Sequence, residues 1–341
     1  MARPTIKDLA AAADLSVSTV NRVLGGHASV REVTIQQVLA AAEKIGFYGV
    51  HAIEDRLRAK KPRHRFGILL QESRADFYRT IGETFREVAR NFQTARIELV
   101  ISHMSDLSPE AVAASMLKVG SEVDALAVVA AQHPLITDAI TKLRAKNKPV
   151  FALISGMSSS SGTPYLGLDN WKVGRTAAWS IAHMAKREGE IAILVGNHRY
   201  RCQEMNEAGF RSYFREYAPN FRLLEPQSTY ESDSIARDVT ERILDQHPNL
   251  EAIYIAGGGI GGALEALRAK RSSGRVVAVG HDYFAAVREG LLDGYLTLSL
   301  ANNIELLAEK TVEALYQSVT SGSLEKMDHI MPFYTFTRES I

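Results

Sequence analysis

Cysteine is nearly absent from this chain of 341 residues: Cys202 stands alone, so neither an intrachain disulfide nor a cysteine-based metal cluster is possible. Long apolar runs are missing too. None approaches the roughly 18 residues of a membrane span, and the opening Met-Ala-Arg-Pro-Thr lacks the apolar stretch of a signal peptide. The expectation is a cytoplasmic protein without membrane partners. The histidines show no zinc-ligand spacing, no nucleophile elbow is present, and no phosphate-binding lysine follows a glycine loop. Catalysis is therefore not indicated, and no metal or cofactor is expected. Net charge is scarce as well, at +1, but unevenly spread: residues 1–65 hold 11 Lys/Arg against 6 Asp/Glu, and the rest hold 29 against 33. A basic head on a mildly acidic body fits a phosphate-binding module joined to a domain that does not touch nucleic acid.

Residues 5–26 carry the clearest local pattern. Thr5 is followed three residues later by Asp8, and Ser16 opens a second helical run, so each of two short helices has a side-chain oxygen for its unpaired N–H groups. Ala10 and Ala13 permit close helix contact, while Ile6, Leu9, Leu15, Val20 and Val23 recur at the spacing of a buried stripe. The second helix is then left to expose Val17, Ser18, Asn21 and Arg22. This is a helix-turn-helix whose second helix suits a major groove, and it makes double-stranded DNA the expected partner. Arg22 can pair bidentately with guanine, Val17 can meet a thymine methyl, and Thr5, Ser16 and Thr19 can donate to phosphates. A third helix over Val33 to Lys44, with Val38, Ala41, Ala42 and Ile45 on one face, ends at Gly46 and closes an all-α domain over residues 1–50. Residues 51–58 suffice for two helical turns that fold only when bound, and 58–65 form a basic linker broken by Pro62.

From Phe66 onward apolar runs alternate with amphipathic stretches. The runs are Phe66–Leu70, Ile97–Ile101, Val123–Val129, Val150–Ile154, Ile191–Val195, Ala252–Ala256, Val276–Val279 and Leu296–Leu300, with a last strand expected over Ile330–Phe336. This alternation predicts an α/β body of two doubly wound parallel-sheet lobes, with ligands bound at the carboxyl ends of the strands. One rival signal lies within it. Gly257-Gly258-Gly259-Ile260-Gly261-Gly262 satisfies G-x-G-x-x-G after a strand, and Asp282 lies 20 residues beyond Gly262. A nicotinamide-dependent oxidoreductase is the alternative it raises, weakened because the motif comes late in a run of similar units.

Residues 5–47 resemble the lactose-repressor family of transcription factors, whose head reads Thr-x-x-Asp-Val-Ala-x-x-Ala-Gly-Val-Ser-x-x-Thr-Val-Ser-Arg-Val. Thr5, Asp8, Ala10, Ala13, Ser16, Thr19, Val20, Arg22 and Val23 match, as do Val30, Thr34, Val38 and Gly46. Asn21 and Arg31 replace serines, and Ile35 replaces an arginine. The resemblance implies a hinge helix whose leucine wedges into the minor groove. Leu57 looks like that residue, although the stretch before it is one residue longer and Gly49-Val50 replaces Pro-Asn. The body resembles the family's periplasmic-binding-protein type I-like half. That implies effector contacts from Phe77 and Tyr78, from Asp169 in Gly167-Leu168-Asp169-Asn170, from Asn206 where the family places arginine, from Gly258, and from Asp282. Trp171 and Phe284 would be stacking walls. The implied protein is a homodimeric repressor of a palindromic operator, modulated by a sugar, polyol or sugar acid, and without a heptad tail no tetramer is expected. The expected layout is residues 1–50, a hinge and linker over 51–65, and a body over 66–341. Its first lobe would hold about 66–168 and 301–327, and its second about 169–300 and 328–341.

Overall fold

The computed structural model describes residues 3–27, 30–51, 53, 61–72, 76–157, 162–322 and 328–341. The expected wedge, Leu57, lies outside them. The chain divides into two compact units, Met1–His64 with Arg90–Glu98, and Arg65–Ala89 with Leu99–Ile341.

The first unit is built on three helices: α1 (Ile6–Ala12), α2 (Val17–Gly25) and α3 (Glu32–Ile45). Thr5 and Asp8 form a reciprocal capping box on α1, and the Ser16 hydroxyl accepts from the Thr19 N–H at the start of α2. Gly26 and Gly46 end α2 and α3 in left-handed geometry, at φ 73° and 64°. The small core gathers Leu9, Ala10, Ala13, Val20, Val23, Val38 and Ala42. Ile35 is 6% exposed, so an isoleucine at this position adds apolar area to that core.

The second unit opens with β1 (Arg63–Gln71), α4 (Asp76–Asn91), β2 (Arg96–Met104), α5 (Pro109–Glu122), β3 (Ala125–Val128), α6 (Pro134–Arg144), β4 (Val150–Leu153) and β5 (Tyr165–Leu168). The chain then crosses to a second lobe: α7 (Asn170–Met184), β6 (Glu190–Val195), α8 (Arg201–Tyr217), β7 (Arg222–Leu223), β8 (Gln227–Ser228) and α9 (Asp233–Gln246). That lobe continues through β9 (Leu250–Ile255), α10 (Ile260–Lys270), β10 (Val277–His281), α11 (Ala285–Leu292) and β11 (Leu298–Asn302). Finally α12 (Ile304–Ser321) and β12 (His329–Met331) return to the first lobe, and β13 (Phe333–Phe336) ends in the second. The strand orders are β12-β5-β4-β3-β1-β2 and β13-β11-β10-β9-β6-β7, with β8 also on β6. Strands β3, β4 and β9 are buried along their whole length, which is why they read as continuous apolar runs without alternation.

The last expected strand needs correcting. Residues Ile330–Phe336 form two strands: β12 runs parallel to β5 in the first sheet, and β13 runs antiparallel to β11 in the second. Pro332 stands between them, with no N–H for a ladder and a fixed φ, so pairing stops there and the chain changes sheets. His329–Met331 therefore belong to the first lobe, against the expectation that placed residues 328–341 in the second. Strands β5, β7 and β8 were not foreseen as strands, and β7 and β8 are only 2 residues long each. No helix among the described residues is long and apolar enough to cross a membrane.

Candidate functional site

Two surfaces merit attention, one in each unit. On the head, Val17 is 42% exposed, and Ser18, Asn21 and Arg22 lie beside it on the open face of α2. The Thr5 hydroxyl donates to the Asp8 carboxylate over 2.7 Å, and the Ser16 and Thr19 hydroxyls lie 2.9 Å apart, so the candidate phosphate contacts sit at helix starts held by caps. Val30 packs against the helical core, and Thr34 is half-buried in the first turn of α3.

In the body, a cleft of about 320 Å³ opens between the two lobes. Polar groups reach it from strand ends and helix starts: Gln71 closes β1, Asn170 opens α7, Gln203 and Asn206 lie in the first turns of α8, and Asn302 closes β11. Glu231 enters from the turn before α9, the Gly257–Gly259 stretch from the loop after β9, and His281 and Asp282 from the end of β10. Apolar walls come from Phe77, Tyr78, Ile154, Leu168 and Phe284. Such a concave, mostly apolar space with a few convergent polar groups is what a small ligand requires.

Three cleft residues other than glycine hold left-handed backbone, Ile154 at φ 64°, Glu231 at 61° and Asp282 at 62°. That conformation is costly for an L-residue, most of all for a β-branched one, and residues held this way cluster at ligand sites. Hydrogen bonds fix them. Gln203 donates through Nε2 to Glu231 Oε1 over 2.6 Å, and the Gly258 N–H donates to Glu231 Oε2 over 3.1 Å. Asn302 donates through Nδ2 to Asp282 Oδ1 over 2.9 Å, and the Ser299 hydroxyl donates to the Asp282 carbonyl over 2.6 Å.

Burial raises the Glu231 carboxyl above the usual range and pushes the Asp282 carboxyl up to about 6, with Glu231 adding repulsion to the latter. His281 is pushed down to about 4 by the same burial, so its ring is neutral, and its Nε2 lies 2.8 Å from the Tyr254 hydroxyl. The Cys202 thiol, pushed up to about 12 by burial, is no nucleophile at neutral pH. Asn206 is 4% exposed, and its buried Oδ1 accepts no hydrogen bond from the described residues. A buried acceptor left this way costs about 1–3 kcal/mol until a partner arrives.

The cleft thus brings together Phe77, Tyr78, Asn206, Gly258, Asp282 and Phe284 from the expected effector set. It leaves out Asp169 and Trp171, which line a neighbouring hollow that shares Leu168, Asn170 and Cys202 with the cleft. Asp169 serves as the N-cap of α7, accepting from the Lys172 N–H over 3.2 Å and pairing with Lys172 Nζ at 3.3 Å. The neighbouring Asn170 takes the cleft position instead, donating to the Tyr165 hydroxyl over 3.0 Å. Glu231, Gln203, His281, Asn302 and Gln71 were missed as site residues. Four of the five were within reach of the rule that ligands gather at strand ends and the loops after them: Gln71, His281 and Asn302 close strands, and Glu231 follows β8.

The glycine loop resolves differently from a dinucleotide site. Its Gly258 N–H is taken by Glu231, and the Gly262 N–H donates to Asp233 Oδ1 over 3.2 Å. A Cβ on Gly258 would strike the Glu231 carboxylate, so glycine is there to admit that side chain. Amides that a pyrophosphate would use already face the chain's own carboxylates. Among the described residues, no group of three His, Cys, Asp or Glu could hold a metal.

Comparison with known proteins finds matches for both the head and the body. Residues 66–323 match the family described as periplasmic binding protein domain, and residues 5–49 match bacterial regulatory proteins, lacI family. Among relatives, a D-ribose/D-allose-binding protein of Pseudomonas aeruginosa is 28% identical over 134 residues, 39% of this chain and 41% of that protein. The chain spans about half the length of the first relatives of this kind. Catabolite control protein A of Priestia megaterium is 21% identical over 260 residues, 74% of this chain and 73% of its own. Among solved structures, an ABC transporter solute binding protein from Actinobacillus succinogenes with bound D-allose superposes at a TM-score of 0.73 and 20% identity, covering 82% of this chain and 98% of that one. Over residues 66–323 the chain belongs to the periplasmic binding protein domain family, and its head carries a lacI-family helix-turn-helix.

Proposed function

We propose that this protein is a homodimeric transcriptional repressor that acts in the cytoplasm. Two heads read the half-sites of a palindromic operator through Arg22, Asn21, Ser18 and Val17, with Thr5, Ser16, Thr19, Val30 and Thr34 ordering the phosphate contacts and Leu57 entering the minor groove. Each body closes on a small polyhydroxylated effector held by Asn206, Asp282, Asn302 and Gln203 between Phe77, Tyr78 and Phe284. The observation that carries the reading is the unsatisfied Asn206 oxygen in a two-lobed cleft, on the same chain as an exposed groove-sized helix face. Sugar-binding relatives support the ligand class. Effector binding shifts the lobes, and the lobes bias the heads.

The test is selection of bound fragments from random DNA, followed by anisotropy titration at physiological salt with and without sugars and polyols. A palindromic consensus, bound at one dimer per site and altered in affinity by one of these compounds, is the expected result. Weak, sequence-blind and strongly salt-dependent binding that no compound changes would refute it.

A further inference from the structure

The cleft gathers carboxyl groups with no cation among its described lining residues. Glu231, Asp233 and Asp282 all line it, and the hydrogen bonds they accept come from neutral donors: the Gln203 and Asn302 amides and the Gly258 and Gly262 N–H groups. Among the described residues that line the cleft there is no lysine or arginine, and His281 is held uncharged by burial. Asn206 stands where the resemblance places an arginine. Carboxyl groups taken out of water without a counter-charge resist ionising, and a cationic ligand is what would stabilise their charged form. The independent pointer is the buried Asn206 Oδ1, an acceptor with no donor among the described residues. Asn206 lines the cleft, its unpaired oxygen takes a donor, and the carboxyl groups beside it favour a cation.

We infer that the ligand of this cleft is a polyol bearing a protonated amino group, an amino sugar or an aminocyclitol, whose ammonium lies between Glu231 and Asp282 while a ring hydroxyl donates to Asn206. An ammonium brings three donors and a full charge, and its hydrogen bonds to carboxylate are roughly twice as strong as neutral ones. A sugar acid would instead add a further negative charge to the cleft. The inference rests on the effector reading above and narrows its ligand class.

Calorimetric titration of the full chain at neutral pH tests it with matched sets: glucose, glucosamine and gluconate, then galactose, galactosamine and galactonate, then myo-inositol and an inosamine. The expected result is an amine bound about tenfold or more tighter than its neutral partner, with the acids not bound. In Asp282→Asn and Glu231→Gln chains that advantage falls to about twofold or less. A neutral or acidic compound as the tightest ligand overturns the inference while leaving the effector reading intact, as does an amine preference that survives both variants. Residues 73–75, which include Arg74, lie outside the described residues. Tight gluconate binding lost in Arg74→Ala would assign the balancing cation to the chain and overturn the inference too. No binding by any member of the panel brings down the effector reading itself.

Discussion

Asp282 and His281 are neighbours that burial drives in opposite directions, and their effects on stability oppose each other. The Asp282 carboxyl rises from 3.8 to about 6, so its contribution is full below pH 3.8 and is lost as pH climbs to about 6. His281 falls from 6.5 to about 4, so its contribution is full above pH 6.5 and is lost as pH drops toward 4. Each is worth on the order of 2–3 kcal/mol, and across the shared window they nearly cancel. Urea unfolding of Asp282→Asn, compared with the wild type, should show stability rising with pH from about 4 to 6.5; His281→Gln should show the reverse. Wild-type profiles in both variants would mean that neither group is desolvated. Asp169 makes a contrasting case at the same scale. As an N-cap outside the cleft, its replacement by alanine should cost about 0.5–2 kcal/mol of stability and leave ligand affinity unchanged; loss of binding in a folded Asp169→Ala chain would return it to the site.

Between residues and lobes, helices α7 and α8 decide where the site's polar groups stand. Gly174 faces the backbone carbonyl of Asn206, and Gly209 faces that of Trp171, each too close for a Cβ, so the two helices lie nearly backbone to backbone. Asn206 is positioned by this contact. Gly174→Ala should therefore destabilise the body by about 1–3 kcal/mol through overpacking and also weaken ligand binding by displacing Asn206, a pairing that calorimetry with chemical unfolding would read. Unchanged affinity in that variant would separate the packing from the site. In the head, α2 carries the reading of bases. Arg22→Ala should cost about 1–3 kcal/mol on operator DNA and much less on random duplexes, measured by competition; equal losses on both would make Arg22 a phosphate contact only.

At the scale of the whole molecule, regulation needs the cleft and the heads to share one equilibrium. A ligand that binds the body should change operator affinity about 5- to 150-fold, and operator DNA should change ligand affinity by the same factor. Titrating each ligand in the presence and absence of the other tests this reciprocity. A ligand bound equally well with and without operator is no effector, however tight it is.

Some of this was legible in the chain as written. The head was legible because caps, glycine stops and a stripe of apolar residues are local signals within a few turns of one another. The α/β alternation was legible because buried parallel strands read as unbroken apolar runs such as Ala125–Val128 and Leu250–Ile255. Phe77, Tyr78, Asn206 and Asp282 were placed by motif, and they do meet in one cleft. Only the tertiary structure separated Asp169 from Asn170, since adjacent residues at a helix start point in different directions and a cap and a cleft residue look alike in sequence. Only it found Glu231, whose role depends on Gln203 and Gly258, 28 and 27 residues away. The change of sheet at Pro332 and the engaged amides of the glycine loop were likewise settled by which strands and side chains lie alongside, which is pairing across the chain and leaves no mark on local pattern.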